Sequence, residues 1–100
     1  MNDPLRRQAR IFMVDDEPAN LKLLGKMLGS RNYEHLVAIQ DPRQVLDHYR
    51  AARPDLILLD INMPHLDGYQ VMAQLRALND PVLPPIVILT AQHGRETLLK

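Results

Sequence analysis

The stretch Leu56-Ile57-Leu58-Leu59-Asp60 decides how the rest of the chain is read. Four consecutive aliphatic residues without polar alternation suit a strand buried on both faces, and this run ends abruptly in a carboxylate. The same cadence stands upstream, where Ile11-Phe12-Met13-Val14 runs into Asp15-Asp16. It stands again downstream, where Ile86-Val87-Ile88-Leu89 runs into Thr90. His35-Leu36-Val37-Ala38-Ile39 supplies one more strand.

Helical spacing fills the intervals. Pro18 suits a first helical turn, Leu21, Leu24 and Leu28 follow on one face, and Gly29-Ser30 closes the segment. Asp41-Pro42 pairs a cap with a first-turn proline; Val45, Leu46 and Tyr49 share a face, and Arg53-Pro54-Asp55 breaks the helix. After the loop from Ile61 to Gly68, Asp67 is placed to cap a helix marked by Tyr69, Met72, Leu75 and Arg76. Asn79-Asp80-Pro81 and Pro84-Pro85 form a long turn. Gly94 to Lys100, with Leu98 and Leu99, begins another helical pattern. Residues 1–9 are polar and aperiodic and read as a loose lead-in, which leaves 10–100 as the domain. Met13, Met27 and Met72 read as core fillers. Met63-Pro64 and Asp67-Gly68 read largely as turn and cap residues.

Strand and helix in strict alternation give an α/β fold: a parallel sheet joined by right-handed crossovers, with helices on both faces. Ligands of such sheets sit at the carboxyl ends of the strands. Asp15, Asp16, Asp60 and Thr90 all occupy strand ends and are expected to converge on one edge.

Composition narrows the chemistry. One hundred residues make one domain. Twelve Lys and Arg balance twelve Asp and Glu, so nothing supports direct binding to nucleic acid or to an anionic membrane. The absence of cysteine excludes disulfides, thiolate metal sites and cysteine nucleophiles. No apolar run nears the roughly 20 residues of a membrane span, and the N-terminus has no signal-peptide core, so a cytoplasmic protein is expected. His35, His48, His65 and His93 are scattered and carry no ligand spacing.

Carboxylates held close together repel one another unless a cation lies among them. An oxygen-only set favours a hard ion, and Mg²⁺ fits best. Such an ion keeps positions open for phosphate oxygens. A carboxylate beside it can attack phosphorus and become an aspartyl phosphate. The Thr90 hydroxyl and the backbone N–H groups after it can then bind the transferred oxygens. A single strand-end Asp is more often a cap or a turn residue; convergence of three acids and a hydroxyl is what sets this group apart.

These residues resemble the receiver (CheY-like) domain of bacterial two-component response regulators. The resemblance is carried by Val14-Asp15-Asp16-Glu17-Pro18, by Leu58-Leu59-Asp60-Ile61-Asn62-Met63-Pro64-His65-Leu66-Asp67-Gly68 and by Pro85-Ile86-Val87-Ile88-Leu89-Thr90-Ala91. It spans about residues 10 to 100, and the three pieces together are strongly specific. It implies a flavodoxin-like doubly wound sheet of strand order 2-1-3-4. It implies that Asp60 accepts a phosphoryl group from a sensor histidine kinase or phosphotransfer protein. It implies Mg²⁺ bound by Asp16 directly, by Asp15 mainly through water, by Asp60 and by the Asn62 backbone carbonyl. Thr90 would be the phosphoryl-binding switch, helped by the Ala91 N–H. Asn62 and Gln92 would tune the lifetime of the phosphorylated state, and Met63, Pro64 and Gly68 would shape the wall of the site.

The family also has a fifth strand, ending in a lysine that bridges to the phosphoryl group, and a fifth helix. This sequence contains neither, and Lys100 falls in the fourth helical segment, so the lysine's role is not carried to it. The expectation is therefore a piece of a longer regulator with an output domain beyond it. Such a piece is expected to be marginal as a monomer and to cover its open edge by homodimerisation or segment exchange. Two other functions compete. One is a receiver-like interaction domain that works without phosphorylation. The other is a Mg²⁺-dependent phosphohydrolase, disfavoured because Asp15 and Asp16 are adjacent rather than one residue apart. Dinucleotide binding is weaker still, since no Gly-rich turn follows the first strand.

Overall fold

The computed structural model describes residues 7–61, 63 and 66–89. Four strands, β1 (Arg10–Val14), β2 (His35–Ile39), β3 (Leu56–Asp60) and β4 (Ile86–Leu89), form one sheet of order β2-β1-β3-β4. Every neighbouring pair is parallel. Helix α1 (Pro18–Gly29) joins β1 to β2. A short 3₁₀ turn (Pro42–Gln44) and α2 (Val45–Ala51) join β2 to β3, and α3 (Gly68–Arg76) joins β3 to β4. The expected fourth helix from Gly94 lies outside the described residues. Arg7 and Gln8, in the stretch read as a loose lead-in, are helical.

The period of two along each strand divides the core into two layers. Phe12, Val14, Ile39, Ile57 and Leu59 face α2 and α3, where Val45, Tyr49, Val71 and Leu75 meet them. Ile11, Met13 and Leu58 face the opposite way, toward Leu21 of α1. The central strands β1 and β3 are buried on both sides, which is why they read as unbroken apolar runs. The outer strands differ: Ala38 of β2 is exposed, and Val87 of β4 is 45% exposed.

Two methionines depart from expectation. Met27 is not a core filler; it is 55% exposed and sits one turn from Leu23, also exposed, on the outer face of α1. Leu21, Leu24 and Leu28 already fill the stripe that meets the sheet. Met63 is more than a turn residue: its side chain is buried in the α2–α3 core layer and anchors the loop after β3. Asp67 caps α3 as expected. Its carboxylate accepts the Gln70 N–H at 2.9 Å, and the Gln70 side chain accepts the Asp67 N–H at 2.8 Å, a complete capping box.

A polar clasp at the amino-end edge of the sheet has no local sequence signal. The Tyr49 hydroxyl donates to Asp80 Oδ2 at 2.6 Å, and Arg53 Nη2 donates to Asp80 Oδ1 at 2.9 Å and to the Val82 carbonyl. The Val82 N–H also donates to Asp80 Oδ1, at 2.9 Å. The Tyr49 hydrogen bond, then the Val82 N–H and the Arg53 charge, hold the Asp80 carboxyl below its ordinary value of 3.8. Burial first, then the Asp80 hydrogen bond, push the Tyr49 phenol above its ordinary 10.0. The Asp80 contribution to stability is therefore present above pH 3.8 and lost as pH falls through the lower folded value. The Tyr49 contribution is present below pH 10.0 and lost as pH rises through the higher folded value. Tyr49→Phe is expected to lower the melting temperature at pH 7 by about 5 °C. It should also flatten both the acid and the alkaline limbs of the stability profile. Thermal melts followed by circular dichroism across pH read both effects.

Candidate functional site

Strand order places the acids. The chain leaves β1 toward β2 on one side and reaches β3 on the other, so β1 and β3 flank the topological switch point of the sheet. Val14 pairs with Leu59 across these parallel strands. Asp15 therefore emerges beside Asp60 as the two strands end. Asp60 is still within the ladder, opposite Leu89 of β4. The Asp15 N–H donates to the Ile39 carbonyl at 3.1 Å, which holds the first acid against β2 after its strand has ended.

Asp15, Asp16 and Asp60 form the cluster that sequence reading anticipated: one carboxylate oxygen from each lies within 4.8 Å of the others. Asp15 is 1% exposed and Asp60 5%, while Asp16 is half-buried. Two buried carboxylates and a third at such range are costly unless charge is compensated. The donor set contains only oxygen, with no sulfur or imidazole, which suits a hard divalent cation such as Mg²⁺. The three acids thus fit the ion on burial, proximity and chemistry.

The wall of the site is close-packed. Gly68, the first residue of α3, donates its N–H to the Ile61 carbonyl at 2.9 Å. A Cβ on Gly68 would lie 2.7 Å from the Asp60 carbonyl oxygen and 2.9 Å from Ile61 Cα. The start of α3 thus presses on the backbone that carries Asp60, and only glycine leaves the room.

One participant was not read from the sequence. Asn20 Nδ2 donates to Asp15 Oδ2 at 3.1 Å, while the Glu17 N–H donates to Asp15 Oδ1 at 3.0 Å. Asn20 stands five positions after Asp15, across the strand-to-helix turn, so neither strand nor helix periodicity links them. The expected site residues Asn62, Thr90, Ala91 and Gln92 lie outside the described residues, as does Pro64.

Comparison with known proteins agrees with this fold. Residues 11–100 match the family model of the response regulator receiver domain. The response regulator MprA of Mycolicibacterium vanbaalenii is 42% identical over 85 residues, covering 85% of this chain and 36% of its own length. The response regulator PleD of Caulobacter vibrioides is 42% identical over 91 residues, covering 87% of this chain and 19% of its own length. This chain thus spans about a third or less of those two relatives. Among solved structures, the chemotaxis response regulator CheY4 of Vibrio cholerae superposes with a TM-score of 0.75 at 28% identity, covering 89% of this chain and 73% of that one.

Proposed function

The chain belongs to the response regulator receiver domain family, and from that premise we propose that it is a phosphoacceptor module in which Asp60 takes a phosphoryl group from the phosphohistidine of a sensor kinase or phosphotransfer protein. A carboxylate oxygen of Asp60 attacks phosphorus, the P–N bond to the donor imidazole breaks, and an acyl phosphate forms. The observation that carries this reading is the convergence of Asp15, Asp16 and Asp60 within 4.8 Å at the switch point of the sheet.

Each residue then has a task. Asp60 is the nucleophile, held in position by the ladder to β4 and by the start of α3. The carboxylates of Asp15, Asp16 and Asp60, with the Asn62 backbone carbonyl, would hold Mg²⁺. When bound, that ion supplies positive charge against the phosphoryl oxygens. The Thr90 hydroxyl and the Ala91 N–H bind the transferred oxygens, and Asn62 and Gln92 set how soon water removes the group. The new charge shifts a two-state equilibrium that a partner or an output domain reads. The module signals rather than turning over substrate, and it works in the cytoplasm. No helix among the described residues is long and apolar enough to cross a membrane.

The test is incubation of the folded chain with Mg²⁺ and a small acyl phosphate, followed by intact mass and mapping of the modified residue. The expected result is a gain of one phosphoryl group on Asp60 that a chelator prevents. No gain in a folded, Mg²⁺-supplied sample, or a gain mapped elsewhere, would overturn the reading.

A further inference from the structure

We propose that Asn20 is a positioning residue that makes the acidic site prefer Mg²⁺ over larger divalent cations. The inference rests on the phosphoacceptor reading above and deepens it. Asn20 is the third residue of α1, and its amide reaches back to the Asp15 carboxylate at 3.1 Å. The Glu17 N–H binds the other oxygen of the same carboxylate at 3.0 Å. One donor alone would leave the carboxylate free to turn about its Cβ–Cγ bond. Two donors on different oxygens fix its plane, and each oxygen keeps a second lone pair for a ligand.

The helix itself gains little from an asparagine there. Asparagine is a weak helix former, and the residue that caps α1, Glu17, makes no side-chain capping bond. The amide is therefore spent on Asp15, a side chain only 1% exposed. An amide also orients the acid without adding charge; a lysine or arginine in its place would compete with the cation. Fixed ligands matter most to Mg²⁺, which demands near-ideal octahedral geometry, whereas Ca²⁺ accepts more ligands at longer and more variable distances. Loosening Asp15 should therefore harm Mg²⁺ binding far more than Ca²⁺ binding.

The experiment is isothermal titration of the full chain with MgCl₂ and, separately, with CaCl₂. Asn20→Leu keeps the bulk and removes the donor; Asn20→Ala removes the same donor with no bulk at all. Circular dichroism melts establish which samples are folded. Both variants are expected to bind Mg²⁺ about tenfold more weakly, with Ca²⁺ affinity changed much less, so the preference between the ions shrinks. Equal losses for both ions, or no loss, would overturn the role of Asn20 while leaving the phosphoacceptor reading intact. A folded wild-type chain that binds neither ion would sink that reading, and the role of Asn20 with it.

Discussion

Asp60→Asn is expected to acquire no phosphoryl group at all and yet, in the presence of a chelator, to be more stable than the wild-type chain. The first effect follows from loss of the nucleophilic oxygen. The second follows from charge. Two unit charges within 4.8 Å of each other repel by at least about 3.5 kcal/mol at an effective dielectric constant near 20. The donors on Asp15 and the solvent around Asp16 offset part of that, so neutralising Asp60 should return about 1–2 kcal/mol. Adding Mg²⁺ should narrow the gap from the other side. An ion at ten times its dissociation constant stabilises the wild type by about 1.4 kcal/mol, and the variant, lacking one carboxylate ligand, should gain less. Urea unfolding followed by circular dichroism, with chelator and then with Mg²⁺, measures both differences. A variant less stable than wild type in chelator would mean that repulsion among the three acids is not the dominant force at this edge.

The acids were legible because β1 and β3 are buried on both faces. Such strands leave no polar residue in their interiors, so the first carboxylate marks where the sheet ends. The alternation of elements puts Asp15, Asp16 and Asp60 on one edge, and the structure brings the three together. The turn after α3 was also legible: Asn79 adopts a φ of 56°, a left-handed conformation that asparagine tolerates better than most residues.

What escaped the sequence depends on contacts between distant segments. Tyr49 and Asp80 are thirty-one positions apart, and nothing local to either announces their hydrogen bond. Met63 sits among turn-forming neighbours, and its burial is decided by where the loop after β3 folds back onto the core. Met27 shows the reverse failure. Helix α1 carries apolar residues around more than one face, so periodicity alone could not say which would meet the sheet. Asn20 lies across a change of secondary structure, where neither the period of a strand nor that of a helix applies.

Gly68→Ala tests how tightly the wall of the site constrains Asp60. Helix propensity argues that the substitution should stabilise α3, by up to about 1 kcal/mol. Close packing argues the opposite, and its geometry is more severe. The added methyl group would stand 2.7 Å from the Asp60 carbonyl oxygen and 2.9 Å from Ile61 Cα. Both neighbours are backbone, so no flexible side-chain end can swing away. Relief requires either α3 to withdraw, stretching the 2.9 Å bond from the Gly68 N–H to the Ile61 carbonyl, or the end of β3 to move. Overpacking of this kind costs about 1–3 kcal/mol, and the net expectation is a loss of about 2 kcal/mol in urea unfolding. The functional loss should be larger in proportion, because the strand end that moves carries the nucleophile. A displacement of about 1 Å at a reacting group can lower a rate about a hundredfold. The initial rate of phosphoryl gain from a small acyl phosphate should therefore fall by at least about tenfold. It should do so under conditions where circular dichroism shows the variant fully folded. A variant that is more stable and phosphorylated at the wild-type rate would mean that helix propensity outweighs the close approach, and that α3 does not set the position of Asp60.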